Sequence, residues 1–151
     1  MKLRSRPATL LDCDVLSDLS FRSKASNGYD AAFMEACRDE LAVTPEKIAQ
    51  GELCISEADG KPVCFFDIRL ENDTLEVYAF YVDPDLKRCG IGRTLWVAME
   101  ERAVAMAAKA IELDADPFAV EFYKAMGCGV IGQSPSGSIP GRMLPRMRKW
   151  L

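Results

Sequence analysis

One stretch constrains this chain more than any other, Leu75 to Arg93, LEVYAFYVDPDLKRCGIGR. Its first eight residues are rich in aromatic and β-branched types that suit a pleated, largely buried strand. Asp83 and Pro84 end that strand. From Ile91 onward Leu95, Ala98, Met99, Ala103 and Met106 recur at helical spacing among good helix formers, which predicts a helix of roughly four to five turns. The charged turn between them therefore opens a helix. There the first N–H groups lack intrahelical partners and the macrodipole adds about half a positive charge, so an anion is favoured without a dedicated side chain. Gly90 and Gly92 allow close approach of backbone, and Lys87, Arg88 and Arg93 surround them with positive charge. GxxxxGK[ST] and GxGxxG are both absent, so neither the P-loop nor the dinucleotide fingerprint is present.

The wider context narrows the reading. A strand ending near V-x-P, followed by Lys87, Arg88, Cys89, Gly90, Ile91 and Gly92, resembles the [QR]-x-x-G-x-[GA] signature of the GNAT superfamily of acyl-coenzyme A-dependent N-acyltransferases, with Lys87 where Gln or Arg is usual. Further on, Leu113 to Cys128, LDADPFAVEFYKAMGC, is similar to that family's N-x-x-A-x-x-[FL]-Y-x-x-x-G-F segment. Ala119, Phe122, Tyr123 and Gly127 match it, whereas Asp116 replaces the usual Asn and Cys128 the usual Phe. The ending PSGSIPGR, Pro135 to Arg142, is similar to bacterial members.

Global properties set bounds. The chain of 151 residues is expected to form one domain over 1–151 that buries about two-thirds of its unfolded surface. A net charge of −4 supplies no basic field for nucleic acid or anionic lipid, so neither is an expected partner. The six cysteines, Cys13, Cys37, Cys54, Cys64, Cys89 and Cys128, show no CxxC or zinc spacing. With neither a signal-peptide core nor an apolar run of ~20 residues, reduced cysteines and a cytoplasmic location are the simplest expectation. The chain has no histidine, which removes Ser-His-Asp and Cys-His chemistry and most zinc sites. No metal is expected.

In chain order, Lys2 to Arg6 reads as a short strand, and Thr9 or Asp12 caps a helix with Val15, Leu16 and Leu19 facing inward. A second helix over about Asp30 to Ala42 carries Ala32, Phe33, Ala36, Cys37 and Leu41 on one side. Thr44-Pro45 caps a helical turn. Turn signals at Asp59-Gly60 and Asn72-Asp73 then divide three strands into an antiparallel meander ending at Val82. After the long helix come a strand at Ile111 to Leu113, a helix at Pro117 to Ala125, and strands at Cys128 to Ile131 and Met143 to Lys149. The predicted fold is α/β (α+β), a mixed, mostly antiparallel sheet of about six to seven strands with about four flanking helices. This agrees with what the GNAT resemblance implies.

The resemblance also implies a chemistry. In such a fold the backbone of Phe80, Tyr81 and Val82 pairs with the pantetheine arm of acetyl-coenzyme A as if adding a strand. The amides of Arg88 to Arg93 take the pyrophosphate, with Lys87 and Asp116 among the cofactor contacts. A strand N–H stabilises the oxyanion as a primary amine of a small molecule or peptide attacks. Tyr123 matches the tyrosine that gives the departing thiolate its proton; a core aromatic beside Phe122 is the competing reading. Glu76 alternates with Tyr78 and Phe80, so its carboxylate would enter an apolar row with a raised pKa and serve as base; a solvated charge is the alternative. Asp67 is a second candidate base, although an ion pair with Arg69 suits it better. Tyr29 and Phe33, near the loop Ser23 to Asp30, are candidate pocket residues, and Cys89 is a candidate activated thiol. Arg142, Arg146, Arg148 and Lys149 read as a solvated strand face.

Three functions stay open: an N-acetyltransferase, a non-catalytic acyl-coenzyme A sensor of the same fold, and a nucleotide binder of another α/β class. The last would need its glycine loop after the first strand. Exposed sheet edges offer, by analogy with the fold, a homodimer contact.

Overall fold

The computed structural model describes all residues, 1–151. Its centre is β3 (Lys61–Glu71), whose Val63 to Ile68 are all buried because helices cover both faces of the sheet there. The Asp59-Gly60 turn joins β3 to β2 (Glu52–Ala58), and the Asn72-Asp73 turn joins it to β4 (Thr74–Val82), giving the expected meander. Asp59 and Asn72 adopt left-handed φ values of 52° and 57°, as tight hairpin turns require. With β1 (Arg4–Pro7), β5 (Ala110–Asp114), β6 (Gly129–Pro135) and β7 (Met143–Trp150), one seven-stranded sheet forms in the order β1-β2-β3-β4-β5-β7-β6. Only β4 and β5 run parallel.

Five helices flank the sheet: α1 (Cys13–Ala25), α2 (Ala31–Leu41), α3 (Pro45–Gln50), α4 (Ile91–Ala105) and α5 (Val120–Ala125). Asp30 caps α2 by accepting the N–H of Phe33, and Thr44 caps α3 by accepting that of Lys47. One core layer packs Ile91, Leu95, Trp96, Met99 and Ala103 of α4 against β3, β4 and β5. On the opposite face Leu16 and Leu19 of α1 meet Leu53, Ile55 and Phe65. Val15 is 48% exposed, contrary to the inward position expected of it, because the buried stripe of α1 runs through Leu16, Leu19, Ser20 and Ser23. In α2 the buried side is Met34, Cys37 and Leu41, while Ala32 and Ala36 face solvent.

Two departures from simple alternation matter for the site. Between the Asp67–Ala79 and Ile68–Val77 pairs the register slips, leaving Tyr78 as an extra residue in β4. Leu75 and Val77 therefore share the α4 side with Phe80 and Val82, and Ala79 and Tyr81 turn to the α1 side. Glu76 is consequently not on the face of Phe80, as strict period-two reading expects. Second, β4 pairs β5 only through Thr74–Ala110 to Val77–Leu113. Beyond Val77 the two parallel strands separate.

The meander also buries one acid. Asp67 is 3% exposed, its Oδ1 has no partner, and Arg69 approaches its other oxygen only to 3.9 Å. Burial pushes this carboxyl up to about 6, and Arg69 and Lys47 only partly oppose the rise. The native chain then binds more protons than the unfolded chain between the ordinary carboxyl value of 3.8 and about 6, so this group lowers stability as pH rises through that window. Asp67→Asn should gain on the wild type by on the order of 3 kcal/mol between pH 4 and pH 8 in paired urea unfolding curves. A constant difference across that range would contradict the buried charge.

Candidate functional site

The separation of β4 from β5 opens a cleft of about 750 Å³, within the range of small-molecule sites. One wall is the unpaired stretch of β4 from Tyr78 to Val82, whose main-chain groups on that side have no strand partner. α5 and the loop before it form the other wall, with Asp116, Phe122 and Tyr123. The C-terminal end of α1 contributes Ser23 and Lys24.

At one end stands the N-terminus of α4. Arg88 and Gly90 both hold left-handed φ values, 66° and 78°, and Gly90 is the helix cap. A left-handed cap turns the chain so that successive amides at the helix start face outward, a concave anion seat added to the helix dipole. Gly92 has a different reason from the one its spacing suggests. A Cβ there would stand 3.2 Å from Phe122 Cε1, so the small residue lets α5 close on α4 beside the cleft. Lys87, Arg88, Gly90, Gly92 and Arg93 all line the cleft, as do Phe80, Tyr81, Val82, Asp116 and Tyr123. Ile91 and Cys89 do not: the Ile91 side chain is buried in the core, and the Cys89 thiol is exposed, 3.8 Å from the Lys87 carbonyl.

Tyr123 is 8% exposed and packed edge-on or tilted against Phe80, Trp96 and Phe122, with centroids 5.4 to 6.1 Å away. Burial, with Tyr81, Cys128 and Asp116 nearby, pushes its phenol upward. The hydroxyl thus keeps its proton through neutral pH. Asp116, one turn ahead of α5, accepts from Lys24 Nζ at 2.9 Å, from the Tyr29 hydroxyl at 3.0 Å and from the Phe118 amide at 2.9 Å. Burial pushes Asp116 up, but the bonds from Lys24, Phe118 and Tyr29 outweigh it and hold the carboxyl below its ordinary range.

Glu76 lies outside the cleft lining. Arg146 of β7 grips it with two bonds of 2.5 and 2.6 Å and also reaches Glu112 and Asp114, each at 3.2 Å. Burial raises the Glu76 carboxyl, an effect that Arg146 only partly reverses. Arg142, Arg146, Arg148 and Lys149 therefore do not form the solvated strand face expected of them, and Arg142 is bonded to Tyr29. Arg146 and Arg148 pair with acids of β4 and β5, and Lys149 pairs with Glu100 of α4. Sequence order conceals this because β7 inserts between β5 and β6. No three Cys, Asp or Glu side chains are grouped to hold a metal ion. No helix is long and apolar enough to cross a membrane.

A split sheet beside a glycine-capped helix defines the class as an α/β acyltransferase fold. Residues 21–138 match the family model described as the acetyltransferase (GNAT) domain, and the chain belongs to that family, as a GNAT-type N-acetyltransferase. Among solved structures it is similar to the PaiA N-acetyltransferase from Thermoplasma acidophilum in complex with coenzyme A, with a TM-score of 0.83, 17% identity and 100% of both chains covered. A GCN5-related N-acetyltransferase from Rhodopseudomonas palustris superposes with a TM-score of 0.84 and 25% identity, covering 100% of this chain and 97% of that one. The Bacillus subtilis acetyltransferase in complex with coenzyme A gives 0.71 and 18%, with 99% of each chain covered. No curated protein matches the chain.

Proposed function

We propose that the protein transfers an acetyl group from acetyl-coenzyme A to a primary amine of a small molecule or peptide, by direct attack in a ternary complex. The observation that carries this reading is the unpaired edge of β4 between Tyr78 and Val82, leading into the Gly90-capped start of α4. When bound, acetyl-coenzyme A supplies an activated acyl thioester. The free β4 edge offers main-chain groups to its amide-bearing arm. The amides from Arg88 to Arg93, with Lys87, hold the diphosphate. An N–H of the same edge stabilises the oxyanion, and Tyr123 donates its hydroxyl proton to the departing thiolate. Asp116, which lines the same cleft, would accept from a carrier N–H. Glu76 draws the proton from the incoming ammonium through water, since burial raises its carboxyl but its side chain does not line the cleft.

Coenzyme A at a hundred times its Kd should stabilise the native state by about 2.7 kcal/mol, raising Tm by several degrees, whereas NAD and ATP should not. Stabilisation by NAD alone would end this reading. Thiol release from acetyl-coenzyme A with an amine panel tests turnover. A sensing module of the same fold is the second reading, favoured by the Arg146 pairing that occupies both Glu76 oxygens. Coenzyme A binding without thiol release would select it.

A further inference from the structure

The segment PSGSIPGR, Pro135 to Arg142, is singled out by sequence, yet none of it holds the carrier in the scheme above. It is a built loop. Ser136 Oγ accepts the N–H groups of Ser138 and Ile139 at 3.2 and 3.0 Å, and the Ser136 N–H donates to the Arg142 carbonyl at 2.8 Å. Gly141, at φ 80°, makes the turn that returns the chain. The loop is also docked on α2. Ser138 donates its hydroxyl proton to Glu40, Gly137 lies so near Glu40 that a Cβ would stand 3.1 Å from Oε2, and Ile139 packs with the cluster of Met34, Cys37 and Leu41.

What this rigid loop presents is Arg142. Its Nη2 donates to the Tyr29 hydroxyl at 2.8 Å, and its guanidinium lies over the Tyr29 and Phe33 rings at 5.3 and 4.9 Å. Those rings stack at 4.0 Å. Beyond them is Asp116, 4.0 Å from Arg142 and bonded to Lys24. The three charged side chains are 18%, 18% and 14% exposed, so all are largely shielded from water. A guanidinium carries five N–H donors. Arg142 spends one of them, on Tyr29. Two cations face one carboxylate, which leaves one positive charge beside the cleft where Asp116 and Lys24 line it.

We propose that Arg142, supported by Lys24, forms an anion subsite that recognises a carboxylate carried by the acceptor amine. The acceptor class is then a small amino acid or similar amine with a carboxylate close to the nitrogen. This rests on the acetyl-transfer reading and names its substrate. The planar fork suits a two-oxygen acceptor, the surplus of one charge suits a monoanion better than a phosphate dianion, and the stacked Tyr29 and Phe33 rings, which back Arg142 instead of lining the cleft as expected of them, fix the orientation of the guanidinium.

The test uses the full chain, thiol release as readout, and acceptor pairs that differ only in the carboxylate: lysine and cadaverine, arginine and agmatine, phenylalanine and phenethylamine. The wild type should favour at least one carboxylated member by roughly tenfold or more in kcat/KM, and Arg142→Gln should collapse that ratio by raising its KM roughly tenfold to a hundredfold. Arg142→Lys, which keeps charge but not the fork, should recover part of the loss. Calorimetric titration of coenzyme A into each variant reports folding and the carrier site independently. A wild-type preference for the decarboxylated members, or an equal loss on both members in Arg142→Gln, overturns the subsite. Silence toward the whole panel with coenzyme A still bound also overturns the carboxylate class. Failure to bind coenzyme A at all would instead remove the transfer reading beneath it.

Discussion

Tyr123→Phe is expected to lower kcat roughly a hundredfold, the typical contribution of a positioned general acid. The variant removes one oxygen and keeps the ring that Phe80, Trp96 and Phe122 enclose. Because no protein group depends on that hydroxyl for a bond, fold and carrier affinity should survive, and KM for acetyl-coenzyme A should stay within about threefold. The effect should also shrink when the leaving group is a more acidic thiol, which needs less help from a proton donor. Steady-state kinetics with acetyl-coenzyme A and an activated aryl thioacetate would check both parts. Full turnover by the phenylalanine variant would return Tyr123 to the role of a core aromatic.

The largest stability effect is expected at Gly51. Its φ of −109° and ψ of −175° are ordinary extended values, so conformation does not require glycine there. Space does. A Cβ on residue 51 would stand 2.1 Å from Asp67 Oδ1 and 3.4 Å from Arg69 Nε, and both of those atoms are buried without partners. Asp67 is central in β3 and held between β2 and β4, so its short side chain has little freedom to withdraw. Gly51→Ala should cost about 3 kcal/mol in urea unfolding, the upper range for forcing atoms into a packed core. The same change made in an Asp67→Ala background should cost under about 1 kcal/mol, a coupling that a double-mutant cycle isolates. Equal costs in both backgrounds would show that Gly51 is small for another reason.

Local rules made much of the fold readable. The turns at Asp59-Gly60 and Asn72-Asp73, the cap at Thr44 and the helix opening at Gly90 all fall where side-chain chemistry and glycine placement put them. The cleft wall from Phe80 to Val82, the charged turn and Tyr123 were legible because two motifs carry them on contiguous stretches. Glu76 was misplaced because alternation assumes an unbroken pleat, and the extra Tyr78 reverses the phase of β4 halfway along. Val15, Ala32 and Ala36 share the apolar spacing of their helices yet face solvent, because which stripe meets the sheet depends on where each helix lands.

The charged groups were the least readable. Arg146 reaches Glu76 across 70 residues, and Arg142 reaches Tyr29 across 113. Both look like members of one basic strand face until β7 is inserted beside β5 and the Pro135 to Arg142 loop is set down on α2. By itself the sequence determined the element types, the turns and the anion-seeking start of α4, because these depend on propensities and backbone freedoms that act within a few residues. Tertiary structure alone decided where the sheet divides, which acid is buried without a partner and which cations gather around Asp116. Those outcomes depend on strand order and on distances between segments far apart in the chain, and no local preference encodes either.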